Sequence, residues 1–328
     1  MEKRDFSEFL LKFLNRRSAK YLRISQKLVK NIYQVLSQYV LTLKVDGYCI
    51  YDTKTLELVK IKNLKGYIQV IKDLKKTILE KDGEMFFRGQ RYFGWSLAPS
   101  LYRDSSWVKN ENIMIEEMIR QYPEFLDDKK RIDTLTKLQH YDFPTRLLDI
   151  TENPLVALFF ACSDKDLSTD GCIFYFNPDP KQIKYSNSDS VTVLANISKM
   201  NYEFGENNFK ENQDRFLWFL QDEKPNFRIL EDTKILNQCF YVKAHFNNKR
   251  IRSQEGAFIL VGVGKDNKEM ANIEFETDKC KKIIMVDRSR KIDILEELSQ
   301  FGVNEGVIYP EISKESVYIS SKYKTHEK

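Results

Sequence analysis

Apolar residues along this chain recur with two different periods, and the change between them separates helices from strands. Between 18 and 42, Tyr21, Leu22, Leu28, Ile32, Val35, Leu36 and Tyr39 return every three or four residues. Ser18 stands where an N-cap belongs, and Lys20, Arg23, Lys27 and Lys30 fall mainly on the other faces. A shorter helix is predicted at 7–16. A hairpin follows over 47–62, with arms at 48–51 and 56–61 and a turn at 52–54. Residues 64–81 return to helical spacing through Ile68, Ile71, Leu74 and Ile78.

Beyond this point short strands and helices alternate irregularly. The pattern predicts strands at 84–88, 171–177, 237–242, 257–263 and 282–286, and helices at 111–126, 129–140, 214–221 and 292–301. The segment PLVALFFAC at 154–162 starts with Pro at a first helical position and is apolar all round, so it must be buried on all faces. Gly302 occupies a C-cap position, and 306–310 opens the last ordered piece, read as a terminal strand before a tail that frays. The predicted class is α+β: a mixed, mostly antiparallel sheet with packed helices, preceded by an N-terminal helical segment. The boundary is placed between 62 and 63, giving an extension of 1–62 and a main domain of 63–328. No internal repeat or low-complexity tract stands out.

Charge sharpens this division. Of the 328 residues, the first 50 hold 10 Lys/Arg against 4 Asp/Glu, and the other 278 hold 43 against 44. A near-neutral main domain argues against a polyanion binder with a global positive field, so any basic partner surface belongs in the first 50 residues, where a solvated helix face is the bland alternative, and a protein partner would engage 1–62. The five Cys are odd in number and include no Cys-x-x-Cys pair, which makes a disulfide framework or a zinc site improbable. The first residues carry no long apolar stretch or cleavage site, and no run of 18 apolar residues occurs. The expected compartment is the cytoplasm, with no membrane contact and no metal.

Four clusters carry candidate chemistry. In Phe86-Phe87-Arg88-Gly89-Gln90 a fork of donors stands beside a residue that allows a tight bend or close backbone approach, an arrangement suited to an anion; its bland alternative is a surface Arg beside a turn. The run from Gln139 to Pro154, QHYDFPTRLLDITENP, sets His140, Tyr141, Pro144, Thr145, Arg146, Asp149 and Asn153 between two helices. It reads equally as a pocket or as a helix end followed by a capping loop, and a buried Arg146–Asp149 pair would serve either. Arg250-Ile-Arg252-Ser-Gln254-Glu-Gly256 leads into an apolar strand, and Gly302 to Ile312 offers Glu305 and Glu311.

Taken in order, FFRGQ, Trp95-Ser-Leu97-Ala-Pro99-Ser100-Leu101-Tyr102-Arg103, QHYDFPTRLLDITENPLVALFFA, Gln254-x-Gly256-x-Phe258 and GVNEGVIYPEI resemble the FRG domain family over about 250 residues. Position 150 is Ile where that family usually carries Trp, and position 142 is Asp where Gly is common. The resemblance implies a bacterial or phage-associated protein, an effector of the defence or toxin type. The order of elements also resembles ADP-ribosyltransferases, in which an early-strand Arg holds the NAD diphosphate, a middle segment frames a ribose and a late Glu acts at the glycosidic bond. That likeness implies NAD as the ligand, with Arg88, His140, Thr145 and Glu305 as catalytic candidates. Arg88, Gly89, Gln90, Tyr141, Pro144, Arg146, Gln254 and Gly256 would bind the ligand, and Asp149 and Asn153 would support the loop. Arg88, Gln90, His140, Thr145, Arg146 and Gln254 are expected to converge on one site. The competing functions are a nucleic-acid-binding or nuclease-type effector and a non-enzymatic module that senses a nucleotide-like ligand.

Overall fold

The computed structural model describes residues 41–45, 48–52, 57–79, 83–124, 128–163, 168–228, 232–245, 248–273 and 282–311. The two helices expected before residue 40 lie outside these. Residues 41–42, expected at the end of the second helix, belong instead to a strand.

Among the described residues ten strands form one sheet: β1 (Leu41–Val45), β2 (Tyr48–Asp52), β3 (Glu57–Ile61), β4 (Phe86–Gln90), β5 (Leu147–Thr151), β6 (Gly171–Phe176), β7 (Ile183–Tyr185), β8 (Cys239–Lys243), β9 (Gly256–Val261) and β10 (Lys282–Val286). Their spatial order is β1-β2-β3-β10-β6-β4-β5-β9-β8-β7. Only β3–β10 and β7–β8 are parallel, so the sheet is mixed and mostly antiparallel, in an α+β fold. The predicted hairpin is β2–β3, and through β3 it continues into the main sheet. The boundary expected at 62 thus falls between β3 and the first helix, which share one core through Val59, Ile61 and Leu64.

The helices are α1 (Leu64–Leu79), α2 (Ser105–Lys109), α3 (Glu111–Gln121), α4 (Arg131–His140), α5 (Pro154–Cys162), α6 (Asp189–Asn196), α7 (Phe209–Glu223), α8 (Lys249–Ser253), α9 (Lys291–Gln300) and α10 (Glu305–Ile308). In α1 the buried stripe runs through Leu64, Tyr67, Val70, Ile71 and Leu74, which turns the expected Ile68 outward. The segment read as a terminal strand is α10. Its β-branched residues favour a strand, but the Asn304 side chain accepts from Val307 N and starts a helical turn that buries Ile308.

Both helical cores lie on the same face of the sheet. Val59, Phe87, Ile173, Tyr175 and Ile284 pack against α1, α5 and α9. Leu147, Phe240, Phe258 and Leu260 pack against α3, α4, α6 and α7. Strand register confirms the shared face, since Phe87 stands opposite both Tyr175 and Thr151, and Asp149 opposite Phe258. Phe86, Leu148, Ile150, Phe174 and Ile259 form the core of the other face. The two helical cores meet at β4 and β5, the seam of the fold. Among the described residues no helix is long and apolar enough to cross a membrane.

Candidate functional site

The seam is where the sheet opens. β4 pairs with β6 over five residues and β5 with β9 over five, but β4 and β5 share the single pair Phe87↔Thr151. Had the ladder continued, Gly89 would stand opposite Asp149. Instead the Asp149 carbonyl accepts a hydrogen bond from Arg88 Nη1 at 2.6 Å. A side chain thus takes over a carbonyl that lacks a ladder partner in the open gap, as buried backbone groups require.

A cavity of about 360 Å³ opens from this gap. Arg88, Gly89, Asp149, Thr151 and Gly256 line it from the sheet, Gln139 and His140 from the end of α4, Phe160 from α5, and Arg250 and Gln254 from α8 and its end. Arg103 and Asp142 complete its charged lining. A second cavity, of about 680 Å³, lies between β4, α5 and α9 and is lined by Gln90, Arg91, Trp95, Phe159, Glu296, Glu305 and Tyr309. Arg88, Gly89 and Phe160 line both, so the two cavities are neighbouring lobes with Arg88 in their shared wall.

Arg88 is well buried, and its Nε, itself shut off from solvent, finds no hydrogen-bond partner among the described residues. Burial lowers its pKa; the Asp149 carboxylate, 4.0 Å from Nη1, opposes that, and the charge of Arg103 adds to it. Asp149 is the exposed residue of an otherwise buried strand, with 60% of its side chain accessible. Its Oδ2 accepts from Gln139 Nε2 at 3.0 Å. His140 Nε2 lies 4.0 Å from Glu311 Oε1, and Arg250 Nη1 is 3.9 Å from the same oxygen. Thr151 Oγ1 donates to the Gln254 carbonyl at 2.6 Å and accepts from Asn153 N, fixing the floor.

The sequence-predicted residues are distributed unevenly over this cleft. His140, Gln254 and Gly256 line the first lobe, Gln90 and Glu305 the second, and Arg88 and Gly89 both. Tyr141, 68% exposed, and Pro144 lie outside both linings. Thr145 is fully buried behind Gln139, to whose Oε1 its hydroxyl donates. Arg146 is not at the cleft at all. It is fully buried, with Nε donating to Glu111 Oε1 at 2.9 Å, Nη2 to Glu111 Oε2 and to Asn267 Oδ1, and Nη1 to the Val261 carbonyl. Burial alone would lower its pKa, but Glu111 and then Tyr102 hold it above the usual value.

The suspected Arg146–Asp149 pair is therefore absent. Arg146 lies just before β5, where Glu111 from α3 neutralises its guanidinium, whereas Asp149 within the strand faces the cleft. Asn153 does cap α5, accepting from Leu155 N at 2.9 Å, and its Nδ2 holds Glu255. Gly89 serves packing: a Cβ there would sit 1.9 Å from the Ala157 carbonyl oxygen, so only glycine lets α5 lie this close to β4. Asp142, where Gly is common in the family it resembles, has φ of 59°, a left-handed position that Asp tolerates better than most residues.

Sequence reasoning did not single out Arg103, Gln139 or Arg250 as site residues, although each ends or opens a recognised motif. Their signal was motif membership, and only the fold shows which side the side chain faces. Among the described residues no group of three or more His, Cys, Asp or Glu side chains is placed to hold a metal ion. Residues 83–170 match the family model of the FRG domain, which spans β4, β5, α5 and the QHYDFPTRLLDITENP segment. No curated protein and no solved structure matches the chain.

Proposed function

We propose, from the premise that this chain carries an FRG domain, that its two-lobed cleft binds a small anionic nucleotide, with NAD the leading candidate. The observation that carries this reading is the place of Arg88. It lines both lobes, so its guanidinium lies where the diphosphate of a dinucleotide would pass when its two nucleoside halves fill them. The lobe volumes of about 360 and 680 Å³ fall within the roughly 300–1,000 Å³ of small-molecule sites. Guanidinium suits a diphosphate because its donors form a rigid fork. Phe159, Phe160, Trp95 and Tyr309 supply ring faces in the second lobe, and Glu296 and Glu305 supply acceptors for hydroxyls.

The reaction that fits such a ligand is cleavage at its glycosidic bond, by ADP-ribosyl transfer or hydrolysis. Thr145, being buried, takes no direct part in it; His140 and Asp149 are the groups presented to a sugar in the first lobe. An NAD-consuming activity would also suit the effector role that the family resemblance implies. A near-neutral main domain whose cleft mixes Arg88, Arg103 and Arg250 with Asp142 and Asp149 suits a small anion that also carries hydroxyls better than a polyanion.

Calorimetry of the purified chain with NAD, ADP-ribose and a short single-stranded RNA, paired with chromatographic detection of released nicotinamide, tests this. The expected result is micromolar binding of the dinucleotides and nicotinamide release. Binding without release identifies a sensing module. No small-nucleotide binding below about 1 mM, with tight RNA binding that weakens steeply in salt, would replace this reading with a nucleic-acid one.

A further inference from the structure

A chain of hydrogen bonds runs from the backbone to the exposed carboxylate of the first lobe, and its direction is fixed at both ends. Leu147 N–H donates to Thr145 Oγ1 at 3.1 Å. The Thr145 hydroxyl proton is then free to go to Gln139 Oε1, which it does. The amide's nitrogen must therefore face the other way, and Gln139 Nε2 donates to Asp149 Oδ2 at 3.0 Å. A backbone N–H can only donate and a carboxylate can only accept, so no link can be reversed without breaking another.

This relay holds Asp149 by one oxygen. Arg88 Nη1 is 4.0 Å from that same Oδ2, so both interactions with protein fall on one side of the group. Oδ1 receives no hydrogen bond from a described residue, and the side chain is open to the cavity. The first lobe therefore presents a cation for phosphate in the wall it shares with the second and, beside it, an acceptor aimed into the space. A second phosphate would meet like charge at Asp149, whereas an alcohol would find a partner. Carboxylates bind the paired hydroxyls of a ribose in this way at dinucleotide sites.

We propose that Asp149 makes the first lobe selective for a ligand with a free ribose diol next to its anionic group, and that Gln139 and Thr145 are positioning residues that aim its carboxylate. The ligand class is then a ribonucleotide, not a deoxyribonucleotide or an inorganic polyphosphate. This rests on the nucleotide-binding reading above.

Calorimetry of the full chain with NAD, and with two NAD analogues lacking the 2′ and 3′ hydroxyls of one ribose or the other, tests it. The wild type is expected to bind one analogue about tenfold or more weakly than NAD. Asp149→Ala should bind NAD and that analogue alike. Gln139→Leu and Thr145→Val should lose most of the discrimination, and Thr145→Ser, which keeps the hydroxyl, should retain it. A merely structural role would change stability but leave the ratio of affinities unmoved. Equal wild-type affinity for all three ligands, or full discrimination in Asp149→Ala, would overturn the proposal. Arg88→Ala separates the two levels of the argument: it should weaken all three ligands in parallel without changing the ratio. Failure of the wild type to bind any of them would remove both the selectivity and the nucleotide reading.

Discussion

Arg88 Nη1 and the backbone carbonyl of Asp149 are joined at 2.6 Å across the gap where β4 and β5 cease to pair. The guanidinium has two tasks there, closing an open ladder and facing a cleft. Arg88→Ala should lower affinity for ADP-ribose by about 10–150-fold, the loss of one charge-assisted contact worth roughly 1.5–3 kcal/mol. Arg88→Lys should recover only part of it, because an ammonium keeps the charge but not the fork. Titration calorimetry on the three proteins reads this directly. Equal affinity in all of them would place the ligand elsewhere.

The Arg146–Glu111 ion pair predicts a different behaviour. Both side chains are almost wholly excluded from solvent, so removing one strands the other. Glu111→Ala or Arg146→Ala alone should cost about 3–5 kcal/mol, whereas Glu111→Leu combined with Arg146→Met should recover most of that loss. Denaturant unfolding of the single and double variants checks it. Additive losses would show that the pair is not coupled.

Gly89→Ala should be among the most damaging small changes in the chain. The new methyl would sit 1.9 Å from the Ala157 carbonyl oxygen and 2.8 Å from Ala161 N, both backbone atoms of α5. Helix and strand must separate, at a cost of at least about 1–3 kcal/mol. Because α5 also carries Phe160 into both lobes, ligand affinity should fall with stability. A melting temperature within about 1 °C of the wild type would contradict this packing.

Lys60 ties β3 to the turns beside β6 and β10, lying 3.0 Å from Asp170 and 3.1 Å from Asp287. Burial would lower the Lys60 pKa, but Asp170 and Asp287 overcome that and raise it above 10.5. Its contribution is then fully present below the unfolded value and is lost as pH rises through the folded one. Burial would raise Asp287, but hydrogen bonds from Ser289, followed by Lys60, hold it below 3.8. That contribution is present above the unfolded value and is lost as pH falls through the folded one. Lys60→Met should therefore flatten both the acid and the alkaline limb of a stability–pH curve, measured by denaturant midpoints.

Much of this arrangement is legible in the sequence, and the exceptions share a physical cause. Helix α5 is bounded by a Pro at its first position and is apolar throughout, and its limits follow from composition alone. The hairpin β2–β3 and strand β10 follow from period and turn chemistry in the same way. Strand β5 does not. Leu147, Leu148 and Ile150 flank a single Asp within a polar run, and five residues are too few to set a period against Thr145, Arg146, Glu152 and Asn153. Missing that strand hid which way its neighbours point. Arg146 and Asp149 were both legible as important polar residues, but only the fold shows that Arg146, just before β5, is buried against Glu111 of α3 while Asp149, within the strand, is open to the cleft. Gln139 was overlooked as a site residue because its significance lies in a relay to Asp149 that only the docking of α4 on β5 creates.

The measurement that tests the central claim most directly is the crystal structure of the chain in complex with ADP-ribose. The account predicts the diphosphate within hydrogen-bond distance of the terminal nitrogens of Arg88, with one ribose beside Asp149 in the first lobe and the other end of the molecule in the second. A ligand bound away from Arg88, or wholly within one lobe with Arg88 still closed onto the Asp149 carbonyl alone, would contradict it.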